Sequence, residues 1–525
     1  MSAVISITEA LLTRARVSPD ALAYAVDGHP MTYGALIDDA QGLAGRLAAR
    51  GVTSGDRCAL VLPTGLDLIR AVYASQLIGA VPVAINPDLP DEAIARRLEL
   101  VRARLAIRNG DARPMVTTDG RSRPACRVVT MTDLALGPGL PRSPRPPDAA
   151  DPAFVQLTSG TTGEPRAVVI SHRSLIASLA ATADRLQMRH DDVLATWVPL
   201  HHDLGLVRYV FGAMFSGCPS HLIRPSMANL RPWLETIARV RATITGGPDS
   251  AYRLAARTVA PECADVRSLR FAGNGGETVR LSTIEQFERR FGLTGIVRPA
   301  YGLAEATLTV TSTAPGEDLR VDEHGAVSCG RPLDGIELRI GDVDGEALPT
   351  GSIGEVLVRG AAVFDGYQDD DEATADALRG GWLHTGDVGS IDAHGYLFLR
   401  GRSRALIKRG GMTIAPREVE DAVDRVADVH RSAAVGVALT SVSGTEDVVV
   451  VAEVRVASSD PPGAFDRIVA SIDREVRRSV GTAPGRVFLV ELGAIPRTVA
   501  GKVRYDELRR LVTENAFGGG LFFSR

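Results

Sequence analysis

The first part of the chain alternates short apolar runs with amphipathic stretches. Three apolar runs have the length of buried strands, and they cover residues 21–26, 58–62 and 81–85. Apolar positions recur at helical spacing in the intervening stretches, which predicts helices over 33–50, over 66–78 and from Asp91 onward. Strands separated by helices indicate a parallel or mixed sheet that is covered on both faces.

The hydrophobic pattern changes after Arg331. Short alternating runs at 337–340, 353–359 and 396–400 predict a β-rich subdomain. From Arg402 onward the pattern predicts a smaller α+β unit, with helices at 416–426, at 462–480 and from Arg504, and with strands at 433–437 and 448–454. Residues 518–525 are interpreted as a frayed tail.

A chain of 525 residues is too long for one compact core. Together with the change of pattern, this length predicts an α/β fold with a large N-terminal domain over residues 1–400 and a small C-terminal domain over residues 401–525. The large domain is expected to contain two α/β sheets and the β-rich subdomain.

Composition and charge narrow the class of protein. The net charge is −4 and only 5% of the residues are aromatic, which argues against a nucleic-acid-binding protein. No run of about 18 apolar residues predicts a membrane span, and Glu9, Arg14 and Arg16 interrupt the start of the chain. The five cysteines are scattered without a CxxC pair, so we expect a reducing, cytoplasmic location and no cysteine metal site.

A candidate phosphate-binding loop follows a Pro-rich connector over 137–152 and a short apolar strand over 153–157. It reads Thr158-Ser159-Gly160-Thr161-Thr162-Gly163-Glu164-Pro165-Arg166. Its glycines allow backbone amides to approach an anion, and its hydroxyls add donors. The lysine that GxxxxGK[ST] requires after the second glycine is missing, and taken alone the stretch also fits a solvated linker. A strand over 167–170 and a helix over 173–188, capped by Ser171, are predicted next.

Six stretches, in order, resemble the motifs of the adenylate-forming superfamily of acyl-CoA ligases, luciferases and carrier-loading adenylation domains. They are residues 158–166, 197–206, 301–305 (YGLAE), 385–387 (TGD), 401–411 and 496–502 (PRTVAGK). The resemblance implies that ATP and a carboxylic acid form an acyl-adenylate and pyrophosphate, after which a thiol accepts the acyl group. It also implies a large AMP-binding domain followed by a mobile small domain that turns about Arg404.

The resemblance implies roles for residues that would bind the nucleotide. Thr158, Ser159, Gly160, Thr161, Thr162 and Gly163 would hold the β,γ-phosphates, and Arg166 stands where the family usually has lysine. Tyr301 would stack on adenine, beside Gly302 and the loop Asn274-Gly275-Gly276-Glu277. Asp387 would accept the ribose hydroxyls, and Arg402 would reach the same ribose or a phosphate.

The resemblance also implies the residues closest to the chemistry. Glu305 would help to hold Mg²⁺, although Ala304 precedes it where relatives often have a hydroxyl. Lys502 would span the α-phosphate and the acid carboxylate. His202 and Asp203 would contact that carboxylate or line the acyl channel, or they form a structural pair in a turn. Gly246 and Gly247 would let the acyl chain pass close to the backbone, or they form a turn.

Details at 199–206, 245–252, 301–308 and 327–332 are most similar to fatty acyl-AMP ligases, which deliver acyl groups to carrier proteins. The segment 312–326 is short, whereas those ligases usually carry an insertion there. We therefore expect an aliphatic acid and an acyl carrier protein as thiol acceptor, with CoA as the alternative acceptor. A protein that binds adenylate without catalysis is a third interpretation, and Arg166 and Ala304 are the residues that favour it.

Overall fold

A computed structural model describes the chain over residues 6–109, 126–134, 147–159, 165–226, 230–323, 325–342, 344–402, 407–409, 412–438, 446–455, 463–497, 503–517 and 521–524. Its contacts divide the chain into two compact units. The first is Met1–Arg339, Leu357–His384 and Ile391–Phe398, and the second is Ile340–Val356, Thr385–Ser390 and Leu399–Arg525. Within the described ranges no helix combines the length and apolar character needed to cross a membrane.

The described α-helices include every helix predicted by residue range, although two of these end three residues early and six other helices had no predicted range. They are α1 Ile7–Val17, α2 Tyr33–Ala48, α3 Leu66–Leu77, α4 Asp91–Leu100, α5 His172–Arg185, α6 Ala213–Ser216, α7 Arg231–Val240, α8 Asp249–Thr258, α9 Leu281–Phe291, α10 Asp371–Ala377, α11 Pro416–Val423, α12 Ala464–Val480 and α13 Tyr505–Glu514. The predicted cap of α5 is confirmed, because the Ser171 side chain accepts a hydrogen bond from the Ser174 amide at 3.3 Å.

Most of the strands are short, and the longest described strands have ten residues. The first half of the chain contains β1 Leu22–Val26, β2 His29–Thr32, β3 Arg57–Val61, β4 Val81–Ala84, β5 Leu105–Arg108, β6 Arg127–Thr130, β7 Pro152–Ser159, β8 Pro165–Ser171, β9 Leu194–Thr196, β10 Ser220–Leu222 and β11 Ile244–Gly247. Then come β12 Phe271–Asn274, β13 Val297–Gly302, β14 Thr309–Ser312, β15 Arg331–Pro332, β16 Ile336–Gly341, β17 Gly354–Gly360, β18 Gly366–Tyr367, β19 Leu378–Arg379, β20 Trp382–Ile391 and β21 Leu397–Arg402. The last are β22 Ile407–Arg409, β23 Met412–Ile414, β24 Val429–Ala438, β25 Glu446–Val454, β26 Arg486–Val490 and β27 Leu521–Ser524.

The predicted α/β sheets are present in the first unit. A nine-stranded sheet has the order β15-β14-β13-β12-β11-β9-β10-β1-β2, and its strands from β13 to β1 are parallel. A parallel four-stranded sheet has the order β4-β3-β5-β6. Trp233, Tyr252 and Phe287, from α7, α8 and α9, form an aromatic cluster in the core against the larger sheet. Because the strands from β13 to β1 of the nine-stranded sheet are parallel, their carboxyl ends lie along one edge of that sheet.

The strand predicted over 153–157 is present in β7, which leads into the candidate loop. It pairs antiparallel with β8 and belongs to neither of the two sheets described above. These strands form a separate three-stranded sheet with β18. The described ends of the candidate loop therefore belong to two neighbouring antiparallel strands.

In the second unit a four-stranded sheet has the order β24-β25-β26-β27. Residues alternate between its faces, so Val448 and Val450 pack with α11 and α12, whereas Val449 and Val451 pack with α13. The interpretation of 518–525 as a frayed tail was wrong for Leu521–Ser524, because this strand pairs with β26. Local sequence gave no sign of that distant partner.

Candidate active site

The carboxyl edge of the nine-stranded sheet collects most of the predicted acyl and adenine residues. Gly246 pairs with Gly273 and Gly247 with Asn274 in adjacent parallel strands. The Gly275 amide also donates to the Gly247 carbonyl at 3.3 Å. The glycine pair forms the end of β11, so the alternative of a turn is excluded. A sheet edge of this kind is where ligands bind in open α/β folds.

The predicted adenine loop is fixed by bonds to α8. Both oxygens of Glu277 accept hydrogen bonds from Ser250, from its amide at 2.9 Å and its hydroxyl at 3.1 Å. Asn274 is fully buried, and its amide nitrogen donates to Asp249 at 3.2 Å. A Cβ on Gly275 would stand 2.7 Å from the Ala300 carbonyl oxygen. In this structure the Glu277 carboxylate therefore orients the loop.

The Glu305 segment is tightly constrained. Glu305 lies in a 3-10 turn after β13, and Thr307 has φ 65° and ψ −52°, which is rare for a β-branched residue. The Leu308 amide closes this γ-turn on the Ala306 carbonyl at 2.7 Å. A Cβ on Gly302 would stand 1.7 Å from the Leu308 carbonyl oxygen, so only glycine fits there.

Side-chain contacts connect Glu305 to the end of the phosphate loop. The Tyr367 hydroxyl donates to Glu305 Oε1 at 2.9 Å, and the Arg166 guanidinium carbon lies 5.1 Å from the centre of the Tyr367 ring. Burial raises the pKa of Tyr367, Glu305 raises it further and Arg166 opposes the shift. Arg166, Tyr367 and Glu305 thus form one cluster, in which Tyr367 stays protonated and donates a hydrogen bond to the Glu305 carboxylate.

Part of the phosphate loop lies outside the described residues. Gly160, Thr161, Thr162 and Gly163 belong to that part. At the two ends of the loop Thr158 pairs with Arg166, and Ser159 pairs with Pro165. The hairpin therefore places Arg166 directly opposite the first residue of the predicted loop.

His202 and Asp203 are adjacent in space as well as in sequence. His202 Nδ1 lies 2.6 Å from Asp203 Oδ1, and Asp203 also accepts from the Leu204 amide at 2.6 Å. Asp203 thereby caps a π-helix, Leu204–Gly212. Burial lowers the pKa of the preceding His201 to about 4, with a smaller contribution from His202.

Sequence reasoning missed the π-helix, Tyr367 and Arg208. π-Helical turns are rare and often occur at functional sites. Arg208 is the single charge in the apolar run LGLVRYVFG, and that isolation was a usable signal. Tyr367 had no local signal, because it reaches Glu305 only through the pairing of β18 with β8.

The second unit contains a separate pair of predicted nucleotide-binding residues. Asp387 Oδ1 lies 2.7 Å from Arg402 Nε, and only 7% of Asp387 is exposed. The Asp387 amide donates to the Thr385 hydroxyl at 3.1 Å. Lys502 and Arg404 lie outside the described residues.

Comparisons with known proteins agree with these motifs. Residues 11–368 match the model of the AMP-binding enzyme family. The chain is 31% identical to a sulfoacetate:CoA ligase of Cupriavidus necator over 80% of this chain and 81% of that protein. It is 28% identical to JamA of Moorena producens, a medium-chain fatty acid:acyl-carrier-protein ligase, over 91% and 89% of the two chains.

A solved structure has the same fold. The crystal structure of ATP-bound MatB from Rhodopseudomonas palustris superposes with a TM-score of 0.85 at 25% identity, covering 97% of this chain and 99% of that chain. The similarity extends over both units, and the family model covers the Glu305 and His202 segments. The chain therefore belongs to the AMP-binding enzyme family and is an adenylate-forming ligase.

Proposed function

We propose that this ligase converts an aliphatic carboxylic acid and ATP into acyl-AMP and pyrophosphate, and then transfers the acyl group to the phosphopantetheine thiol of an acyl carrier protein. The observation that carries the proposal is the Arg166–Tyr367–Glu305 cluster, because it joins the end of the phosphate hairpin to a carboxylate. Activation of a carboxylate requires alignment with the α-phosphorus and neutralisation of developing charge.

The residues present fit a magnesium nucleotide. Mg²⁺ commonly binds to one or two carboxylates together with substrate phosphates, and it would neutralise phosphate charge here. Glu305 offers one carboxylate, whose Oε1 is oriented by Tyr367. Residues 158–163 and Arg166 would hold the phosphates. Tyr301, Gly302 and residues 274–277 would receive adenine, and Asp387 and Arg402 the ribose.

The acid would bind beside the π-helix. The contact with Asp203 occupies His202 Nδ1, and among the described residues His202 Nε2 makes no hydrogen bond. The ring can donate from Nε2 while Nδ1–H faces Asp203 only when both nitrogens carry protons, and we propose that in this form Nε2 donates to the carboxylate undergoing activation. Gly247 would leave room for the acyl chain at the end of β11, because a Cβ there would meet only Trp197 and Ala251, at 3.7 Å or more. At Gly246 the chain would have to pass the Tyr209 hydroxyl, which would stand 2.9 Å from a Cβ.

Residues 401–525 are proposed to form the mobile small domain of a two-domain enzyme, with its hinge at Arg404. Lys502 would then bridge the α-phosphate and the acid. We predict that Lys502→Ala lowers ATP–pyrophosphate exchange by at least ~10²-fold, the scale of losing one transition-state donor. The surface change Arg478→Ala, at an exposed residue of α12 outside the six motifs, is the control. Exchange close to the wild-type rate in Lys502→Ala would reject this role.

Two versions of the proposal differ in the thiol that accepts the acyl group. JamA is named for a carrier-protein acceptor and the sulfoacetate ligase for CoA. The motifs at 199–206 and 301–308 favour the carrier protein, whereas the short segment 312–326 leaves CoA as the alternative. Adenylate binding without catalysis is the third interpretation.

One experiment separates these versions. The protein is given ATP, Mg²⁺ and a panel of carboxylic acids with either CoA or a holo acyl carrier protein, and adenylate and thioester are followed by mass spectrometry. We expect adenylate first and thioester on the carrier protein. Faster thioester formation on CoA would mean that CoA, and not the carrier protein, is the acceptor. Absence of any adenylate across the panel would favour a protein that binds adenylate without catalysis.

A further inference from the structure

Arg208 is a buried cation for which the described residues supply no counter-charge. Only 8% of the residue is exposed, in the middle of the π-helix Leu204–Gly212. Its Nη2 donates to the Thr309 hydroxyl at 2.8 Å, but its Nε is buried and has no hydrogen-bond partner in the described structure. The ionisable groups that act on it are Tyr209 and Tyr252, and burial keeps both phenols neutral at physiological pH.

Such a group is costly to the folded protein. A buried charge normally requires an ion pair and a full set of hydrogen bonds, because burial removes its hydration. The described residues supply one hydrogen bond to a neutral hydroxyl and no carboxylate. The missing compensation has to come from outside the described part of the protein.

Arg208 also lines a cavity whose other walls are almost entirely apolar. Leu194, Val207, Ile244 and Leu308 are among the lining residues. The remaining walls come largely from α5 and the residues just after it, and Leu194 and Ile244 are the first residues of β9 and β11. The link to the candidate site is Thr309, because this partner of the Arg208 guanidinium pairs with Gly302, the last residue of β13, three residues before Glu305. The Arg208 guanidinium therefore lies near the carboxyl end of β13, where the Glu305 turn begins.

We propose that Arg208 binds a second anionic group, at the end of the acid opposite the carboxylate that is activated, so that the substrate is an aliphatic dicarboxylic acid. The inference rests on the proposed function, because it specifies the acid of that reaction. A guanidinium presents two parallel donors to a carboxylate, and the cavity of about 20 Å³ beside Arg208 has room for about one or two water-sized groups, such as the oxygens of a carboxylate. The methylenes would lie between this group and the carboxylate that is activated. The acid would supply the counter-charge that the described residues do not provide.

The test compares acids of matched length, namely hexanoate with adipate and octanoate with suberate. For the wild type we expect a kcat/KM in ATP–pyrophosphate exchange at least ~10-fold higher for the dicarboxylate. In Arg208→Met the dicarboxylate loses ~10²-fold and the monocarboxylate is unchanged or improved, since a buried charge-assisted pair is worth about two powers of ten. A wild-type preference for monocarboxylates, with the same ratio in Arg208→Met, would overturn the inference.

A second variant separates anion binding from a structural role. Thr309→Val removes the hydrogen-bond partner of Arg208 and keeps its charge. If Arg208 binds the acid, Thr309→Val retains the dicarboxylate preference, and Arg208→Met unfolds at no lower temperature than the wild type without acid. If Arg208 only fastens the π-helix to β14, both variants melt at similarly lowered temperatures and both keep the wild-type ratio, which rejects the inference.

Calorimetric titration without ATP distinguishes failure of this inference from failure of the proposed reaction. If no acid is adenylated, yet adipate binds the wild type and binds Arg208→Met at least ~10-fold more weakly, the reaction is rejected and the anion site is supported. If adipate binds both proteins equally, or binds neither, the anion site is rejected, whatever the exchange assay shows.

Discussion

The Glu305 segment and the π-helix segment differ in how completely the protein satisfies their polar groups. Around Glu305, the Tyr367 hydroxyl donates to Oε1, the Phe364 amide donates to the main-chain oxygen at 2.8 Å, and the Thr307 hydroxyl donates to Ala362 at 2.7 Å. Beside and within the π-helix, the buried Nε1 of Trp197 and Nε of Arg208 have no partner in the described structure.

This difference indicates two ways of preparing a site. The Glu305 carboxylate is positioned by the chain's own bonds before any ligand binds, which is the preorganisation that charge stabilisation requires. The π-helix leaves buried donors open, and a bound acid would complete them. We therefore expect changes near Glu305 to alter folding or metal use for every acid, whereas changes in the π-helix alter the choice of acid.

The largest effect is expected for a substitution of Gly302. This substitution tests whether the Glu305 segment is rigid. Gly302→Ala places a methyl group 1.7 Å from the Leu308 carbonyl oxygen, which belongs to the backbone and cannot rotate away. We expect a loss of at least about 3 kcal/mol in the free energy of unfolding, or failure to fold. Urea denaturation measures it.

Gly65→Ala is the matched control, because its new Cβ meets only ordinary contact at 3.6 Å. That variant should unfold within about 0.5 kcal/mol of the wild type. Equal stability of the two variants would mean that the turn after Glu305 is adaptable, and the contrast between the two segments would disappear.

A pH effect of intermediate size on the stability of the protein should come from His201, which lies shortly before the π-helix. Folding lowers the pKa of His201 from 6.5 to about 4, so between these values the unfolded state binds a proton that the folded state excludes. Stability is therefore complete above pH 6.5 and falls as the pH approaches 4. Since His201 is only partly buried, we expect its contribution to be about 2 kcal/mol.

His201→Phe removes this titration. His172, whose pKa is also lowered to about 4 by burial, titrates over the same range and remains in the variant. The stability lost between about pH 7 and pH 4.5 should therefore fall by about 2 kcal/mol without vanishing. Identical pH profiles of wild type and variant, measured by urea denaturation, would show that acid does not act through His201.

Much of this fold could be predicted from periodicity, but the site could be predicted only in part. The helices Tyr33–Ala48 and Leu66–Leu77 follow local apolar spacing and were predicted within two residues. The hairpin around the phosphate loop and the strand Leu521–Ser524 depend on partners distant in sequence. Tyr367 was missed for the same reason, because nothing near it in the sequence indicates Glu305.

The contact between Tyr367 and Glu305 gives a smaller, tenfold prediction. Tyr367→Phe keeps the ring beside Arg166 but removes the donor to Glu305 Oε1. A hydrogen bond to a charged group contributes about 1.5 kcal/mol, so the Mg²⁺ concentration for half-maximal pyrophosphate exchange should rise about tenfold. Direct Mn²⁺ titration, as a substitute for Mg²⁺ in the nucleotide complex, should show the same weakening.

Tyr396→Phe is the control for this change. Tyr396 donates to the Glu317 carboxylate in the same kind of pair, at residues that carry none of the predicted site. We expect no change in metal dependence there. If both variants alter it equally, the effect is a general loss of stability and Tyr367 does not position Glu305.

The smallest effect is expected for Arg166→Lys. This variant tests whether the cluster of Arg166, Tyr367 and Glu305 needs a guanidinium or only a positive charge. Lysine keeps the charge but loses the contact of the guanidinium with the Tyr367 ring, and cation–π contacts contribute about 0.5–1 kcal/mol at exposed sites. Pyrophosphate exchange should therefore fall about threefold. Exchange should fall further in Arg166→Met, which also removes the charge. In a Tyr367→Leu background Arg166→Lys should have no effect on exchange, because no ring remains for the guanidinium to contact. If a threefold loss of exchange persists in the Tyr367→Leu background, Arg166 acts only on the phosphates. Glu305 is then positioned without help from Arg166.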